Sequence, residues 1–388
     1  MEECKMAMDQ SVVTGKSKVR GTLKGELYTS QEIFDLEQKN IFGKSWLFAA
    51  YEYDVAEPGQ YITKKVQGEN IVIVRGKDNV VRAFLNVCRH RGASLCSAAS
   101  GKTGVFRCPY HAWSYGLDGS LIGVPKSTEC REELINNDTY GLEEINLEIW
   151  HGMIWLNFSE NPEPASKQLD AQIMERFGEL EKFSRYQIST LRVAHRKEYD
   201  VKANWKIIVE NFQECYHCST IHPELTSALP VFKSGIGTQN QPGLGATFRE
   251  DLEAFSISGK RSRPMLKGLL PEDDRLYYGM TILPHVFINL TPDHVIVHHI
   301  IPVSPERSIV ICDWLFDPEE MEKPDFEPMD AVEMFHRVNE QDFMACQWCQ
   351  ENMTSKAYQN GGILVPIESH LAKFYNYVLA SIGMEANI

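Results

Sequence analysis

Hydrophobic and polar positions divide this 388-residue chain into stretches of different period. Up to about residue 45 the pattern is polar and helical, with Ile33, Phe34 and Leu36 as the apolar punctuation of the run 30–42. From Tyr61 the period shortens. Residues 71–74 and 80–87, separated by Gly76, Lys77, Asp78 and Asn79, predict a β-hairpin, and 149–158 predicts a further β-rich stretch. Between them Gly92, Gly101, Gly104, Gly116 and Gly119 break the chain into short segments, the pattern of a small sheet that carries loops.

Past Pro162 and Pro164 a helical segment runs to about residue 183, followed by a strand over 191–201 and a helix over about 204–218. Residues 226–271 are irregular and rich in Gly, Ser and Pro. Strands at 277–289, 294–301 and 308–316, with turn signals at Pro292-Asp293 and Pro305-Glu306, predict an antiparallel meander. A helix over about 330–353 is the last strong element, and no internal repeat is present.

Composition narrows the partners. The formal net charge of −14 argues against nucleic acid, whose phosphates need a basic surface to displace counterions. No apolar run approaches the roughly 20 residues of a membrane helix, and the N-terminus lacks the apolar core of an export signal, so the chain reads as cytoplasmic with no membrane partner. Ten cysteines scattered through such a chain read as reduced thiols and metal ligands rather than disulfides.

Four residues stand out first. Cys88-Arg89-His90-Arg91-Gly92 and Cys108-Pro109-Tyr110-His111-Ala112-Trp113 are two short loops, each offering one thiolate and one imidazole. A finger-type zinc site takes its cysteines from one loop and its histidines from the other. One of each per loop instead suits a two-iron cluster whose one iron takes both cysteines and whose other iron takes both histidines, with a mixed-ligand zinc site as the competing reading. Cys96 has no histidine beside it and reads as a packed thiol.

A second set lies in the run Asn204 to Pro223. His217 and His222 are separated by five residues, about 140° on an ideal helix, so they reach one metal only if the helix ends between them; Ser219, Thr220, Ile221 and Pro223 allow that ending. The 330–353 helix carries Ala331, Phe335, Val338, Ala345, Cys346 and Cys349 on one face with Asp342 in the middle of that stripe. A lone carboxylate on an apolar face needs a partner. A metal satisfies it, and so does a buried arginine. Two histidines and one carboxylate are the donor set of non-haem iron oxygenases, which leaves positions open for dioxygen. Cys215 and Cys218, and likewise Cys346 and Cys349, read as packing, and of His294, His298 and His299 at most a subset faces a cavity.

The two loops, with Trp113 after the second, resemble a Rieske centre of the oxygenase kind, and the Asn211-x-x-Glu214-x-x-His217…His222 run resembles the mononuclear iron motif of Rieske oxygenase large subunits. The resemblance covers nearly the whole chain. It implies an α+β fold: a small β Rieske [2Fe-2S] domain at 46–157, inserted in a catalytic domain made of 1–45 and 158–388, with an antiparallel sheet surrounded by helices. It implies Cys88, His90, Cys108 and His111 as cluster ligands and His217, His222 and Asp342 as ligands of a mononuclear Fe(II). Glu214 and Asn211 become the catalytic residues, with Glu214 bridging His111 of one chain to His217 of its neighbour. A homotrimer is implied, fed with NAD(P)H electrons by a flavin and iron–sulfur reductase and using O2 to hydroxylate a small molecule.

Glu214 stands where many ring-hydroxylating members carry Asp, and the run Glu214 to Cys218 is similar to choline, carnitine and glycine-betaine monooxygenases. That implies a quaternary ammonium or N-methylated substrate, monooxygenated at carbon, with N-demethylation as one outcome. Phe212, Tyr216, Tyr277, Tyr278, Phe287 and Trp314 are the aromatic faces available to such a cation. Ring hydroxylation or O-demethylation of an aromatic substrate is the alternative within the family. A non-catalytic Rieske electron-transfer protein is the alternative outside it, and it leaves His217, His222 and Asp342 without a task.

Overall fold

The computed structural model describes residues 20–385 except 127, 130, 136, 137, 239 and 240. Two antiparallel sheets dominate it, as the alternating segments predict. The first has seven strands in the order Leu47–Tyr51, Met153–Asn157, Glu144–Trp150, Val81–Leu85, Glu69–Arg75, Gln60–Val66 and Ser100–Lys102. The interior strand Glu69–Arg75 shows why the run 71–74 is apolar throughout. Val72 and Val74 face a core with Cys88, Cys108 and Tyr115, while Ile71 and Ile73 face a second core with Ile145, Ile154 and Leu156. A small sheet of Phe106–Arg107, Ser114–Tyr115 and Leu121–Gly123 lies over the first of these cores.

The second sheet has six strands in the order Arg192–Val201, Arg307–Phe316, Val295–Ser304, Val286–Leu290, Leu276–Ile282 and Ala246–Thr247. Both faces are covered. Ile296, Ile300, Val310, Cys312 and Trp314 pack under the helices Trp205–Gln213, Met329–Gln350 and Leu371–Ser381. Val295, Val297, Leu315 and Ile288 pack against Leu169, Ile173 and Phe177 of the Ala165–Phe177 helix. Among the described residues no helix is long and apolar enough to cross a membrane.

Three elements differ from the sequence reading. The expected strand 277–289 is two strands, because Leu283-Pro284-His285 turns the chain between Ile282 and Val286. The Leu371–Ser381 helix was not foreseen, although Leu371, Phe374, Tyr375, Val378 and Leu379 repeat at helical spacing and are buried. The third difference bears on the site: the helix expected to reach residue 218 stops at Gln213. Glu214 is extended, with φ −114° and ψ 162°, and Cys218–Ile221 and Pro223–Ala228 form short separate helices.

The start of the Trp205–Gln213 helix is held by a buried polar knot. Asn204 caps it by accepting from Lys206 N at 2.9 Å and donates its own amide to Tyr28 O and Pro305 O. Lys206 and Glu37 form an ion pair at 2.7 Å in which both side chains are fully buried, and Trp205 Nε1 donates to the other Glu37 oxygen at 2.8 Å. Burying either charge without its partner is strongly unfavourable. Lys206→Met should therefore lower stability by about 3–5 kcal/mol. The measurement is the thermal unfolding midpoint, and adding Glu37→Gln to that variant should recover part of the loss.

Candidate active site

The first centre sits on two matched turns. Cys88 and Cys108 each accept a hydrogen bond at their carbonyl from the residue four places on, Gly92 N and Ala112 N, both at 3.0 Å. Gly92 and Ala112 adopt positive φ, 77° and 59°, which lets each loop double back. The thiols are buried and the imidazoles exposed: Cys88 Sγ lies 3.3 Å from Tyr115 Oη, whereas His90 and His111 form the tip. Trp113 stacks on His90 at 4.8 Å. The two Nδ1 atoms face each other at 3.2 Å. Two imidazole nitrogens aimed at one point, with two thiols buried behind them, fit the donor set of a two-iron cluster held by two cysteines and two histidines.

The second centre joins three separate pieces of chain. Asp342 Oδ1 lies 2.8 Å from His222 Nε2 and 3.2 Å from His217 Nε2, and the three donor atoms fall within 4.8 Å of one another. The opposite ring nitrogens are also taken: His217 Nδ1 by Glu214 and His222 Nδ1 by Gln341 Oε1 at 2.7 Å. Those acceptors hold a proton on each Nδ1 and turn each Nε2 towards Asp342. Burial alone would lower the pKa of His217, yet its hydrogen bonds to Asp342 and Glu214 prevail and raise it to about 10. The same two imidazoles hold Asp342 well below the usual carboxylate range despite its burial. Two carboxylates and two imidazoles concentrated in this way favour a divalent cation, and a two-histidine, one-carboxylate set with open positions fits iron(II).

The early helix end explains how His217 and His222 converge. Because Glu214 is extended, its carboxylate folds back to accept from Tyr216 N, His217 N and His217 Nδ1. The sequence reading placed Glu214 one helical turn before His217; a local turn brings them together instead. In that turn Cys215 and Cys218 are disulfide-bonded, with Cα atoms 5.0 Å apart, which corrects the reading of reduced, merely packed thiols. Asn211 Nδ2 lies 3.5 Å from His217 Nε2.

A cleft enclosing about 540 Å³, part of it open to solvent, borders the three donors. Its apolar wall includes Phe212, Phe232, Tyr277, Phe335 and Val338. Phe287 stacks on Phe212 at 3.9 Å and, with His298 and Asn339, lines a smaller space behind. Of the three strand histidines only His298 belongs to these walls; burial lowers its pKa to about 4 and keeps it neutral. Of the six aromatics available to a cation, Phe212, Phe287 and Tyr277 line these walls. Tyr278 packs on Phe177 and Trp314 beside His195, while Tyr216 is exposed. Phe232, Phe335, Thr238 and Gln341 were missed. Phe335 shares the stripe of Asp342 and was open to detection, whereas Phe232 and Thr238 lie in the irregular stretch where no period marks a face.

A thiol–imidazole loop pair on one sheet and a cluster of two histidines and a carboxylate beneath another define the class, a two-centre redox protein. Residues 45–140 match the family model of the Rieske [2Fe-2S] domain, and residues 188–383 match that of the ring hydroxylating alpha subunit (catalytic domain). The carnitine monooxygenase oxygenase subunit of Acinetobacter baumannii is 31% identical over 91% of this chain and 92% of its own. The glycine betaine monooxygenase oxygenase subunit of Pseudomonas aeruginosa is 29% identical over 92% and 89%. The crystal structure of the quaternary ammonium Rieske monooxygenase CntA with L-carnitine superposes with a TM-score of 0.67 at 28% identity, covering 89% of each chain. The chain belongs to the ring-hydroxylating alpha-subunit family of Rieske non-haem iron oxygenases. As such it is an oxidoreductase with a [2Fe-2S] cluster and a non-haem iron, receiving NAD(P)H electrons through a reductase.

Gln341 is the one outer partner that His222 has at Nδ1 among the described residues. Gln341→Leu should lower the affinity of this centre for Fe(II) by about 10- to 100-fold. Equilibrium metal titration measures the change, and Gln341→Glu, which keeps an acceptor, should stay closer to the parent value.

Proposed function

We propose that this chain is the oxygenase subunit of a monooxygenase acting on a quaternary ammonium or N-methylated small molecule. The observation that carries the reading is the aromatic cleft beside the paired histidines and Asp342, in a chain whose relatives act on carnitine and glycine betaine. Aromatic faces attract an ammonium head that has shed its water. Phe212, Tyr277 and Phe335 would hold that head beside the metal donors, and the apolar walls would limit water there.

In this reading residues 46–157 form the Rieske domain, and 1–45 with 158–388 form the catalytic domain. Cys88, Cys108, His90 and His111 hold the cluster, which when bound supplies single electrons; His217, His222 and Asp342 hold the iron, which when bound activates dioxygen. Glu214 fixes the proton on His217 Nδ1, and Asn211 borders the same imidazole. Monooxygenation at a carbon next to nitrogen gives a hydroxylated product that can lose its N-alkyl group. The assembly is a homotrimer working in the cytoplasm, in which Glu214 also receives His111 from the neighbouring subunit. The Glu214 side chain is 13% exposed beside the exposed Tyr216, and His111 is exposed at the loop tip.

Reductase- and NAD(P)H-dependent oxygen uptake, measured across quaternary ammonium compounds and aromatic acids, should respond to the former; uptake coupled only to aromatic rings would sink the reading. The intersubunit route has its own test. Cys88→Ser removes a cluster ligand and Asp342→Ala a triad ligand, so each variant alone should be inactive while Asp342→Ala keeps its Rieske absorption. Co-assembled oligomers of the two should regain activity, because an intact cluster then faces an intact triad across some interfaces. Correctly assembled mixtures that stay inactive would place the transfer within one chain.

A further inference from the structure

The smaller space behind the stacked pair Phe212 and Phe287 has a task of its own to account for. Asn211, Phe212 and Asp342 border both it and the cleft, so the two spaces adjoin beside the triad. The smaller one encloses about 260 Å³, under half of the cleft, and its open centre has room for about one molecule of the size of water or dioxygen. Its apolar walls are Ile208, Phe212, Phe287, Val310 and Phe343, all of them buried except Phe212.

The polar groups of such a space decide what fills it. His298 and Asn339 stand in the wall but are spent on each other and on neighbours. His298 Nδ1 faces Asn289 Nδ2 at 3.3 Å, its Nε2 faces Asn339 Oδ1 at 3.1 Å, and Asn339 Nδ2 donates to Tyr199 Oη at 3.3 Å. Burial keeps the His298 imidazole neutral. Asp342 is turned to His217 and His222, and Asn211 Nδ2 lies 3.5 Å from His217 Nε2. A buried water needs about two to four polar partners, and here it would have to take them from bonds already made. A small apolar molecule needs none and gains dispersion contacts from the aliphatic and aromatic walls.

The class of enzyme supplies the reason for such a site. An oxygenase must bring two reactants to one metal, and a substrate seated against Phe212, Tyr277 and Phe335 occupies the cleft side. We propose that the space behind Phe212 is a gas site, a dry apolar pocket that holds dioxygen beside Asp342 and delivers it to the triad from a side the substrate does not occupy. The inference rests on the oxygenase class and on His217, His222 and Asp342 as the metal donors, and it does not depend on which substrate the cleft takes.

Xenon is an apolar gas that enters dry cavities and is seen in a crystal without turnover. Crystals of the full-length holoenzyme under xenon pressure should show a xenon atom in contact with Phe287, Val310 and Phe343. Val310→Ile adds one methylene from the Arg307–Phe316 strand and Phe343→Trp a larger ring from the Met329–Gln350 helix, so xenon occupancy should fall in both. Rieske absorption and the unfolding midpoint check that each variant folds, and either one alone suffices. With the most active compound of the panel above, kcat/KM for dioxygen should fall about fivefold or more, while KM for that compound stays at the parent value. A hydrogen-bonded water in the space and no xenon overturns the proposal. Xenon displaced by a folded variant whose kinetics toward dioxygen are unchanged makes the space a packing void and overturns it as well. A raised KM for the organic compound with unchanged kinetics toward dioxygen assigns the space to the substrate, with the same consequence. The iron content of Asp342→Ala, measured separately, tests the triad, so a failure of that assignment is told apart from an absent xenon.

Discussion

The insertion of the Asp342 carboxylate between two imidazoles is the interaction on which the catalytic half is organised. Asp342 comes from the long helix over the six-stranded sheet, His217 from the turn after Gln213, and His222 from the start of the next short helix. A buried carboxylate without partners would cost several kcal/mol, and so would an uncompensated charged imidazole. Each group is tolerable only with the others in place, so the broken segment 214–222 and the long helix fix each other. Glu214 and Gln341 complete the arrangement from outside by setting which ring nitrogen carries the proton.

The two centres meet opposite requirements. At the Rieske loops the thiols are buried and the imidazoles exposed, so the electron-transfer edge is available to another molecule. At the triad His222 is buried and Asp342 largely so, behind an aromatic cleft. One surface must meet protein partners and the other must exclude bulk water from reactive oxygen chemistry. Separate sheets with separate cores allow each environment to be built without compromising the other.

How much of this was legible in the sequence follows from how local each signal is. The Cys88–His90 and Cys108–His111 loops are short motifs whose donors need only a turn, and the turn residues lie beside them. Asp342 was legible because an acid interrupts an apolar stripe of helical period. The α+β class came from the family resemblance, and the change of period between 30–42, 71–87 and 277–316 agreed with it. The end of the helix at Gln213 was not legible, since residues 214–218 carry no Gly or Pro and the break is stabilised by Glu214 folding onto its own backbone. Gln341 looked like a solvated polar residue next to Asp342, because its acceptor role depends on His222 arriving from 119 residues away.

The cleft wall shows a further consequence of that long-range assembly. Tyr277 Oη donates to Asn289 Oδ1 at 2.5 Å, Asn289 Nδ2 lies 3.3 Å from His298 Nδ1, and His298 Nε2 lies 3.1 Å from Asn339 Oδ1. Asn339 Nδ2 then donates to Tyr199 Oη at 3.3 Å, and Tyr199 Oη lies 2.9 Å from His336 Nδ1 on the same long helix. With His298 neutral and protonated on Nε2, the chain from Tyr277 to Tyr199 runs in one consistent donor-to-acceptor direction. It ties four strands of the sheet to the helix one turn before Asp342. A fully satisfied buried network of this kind tolerates few alternative registers, because a shift of the helix would leave several polar groups unpaired at once. The aromatic wall and the carboxylate are thus held in register by the same set of bonds, so that the shape of the cleft and the position of the metal donors are not independent properties of the fold.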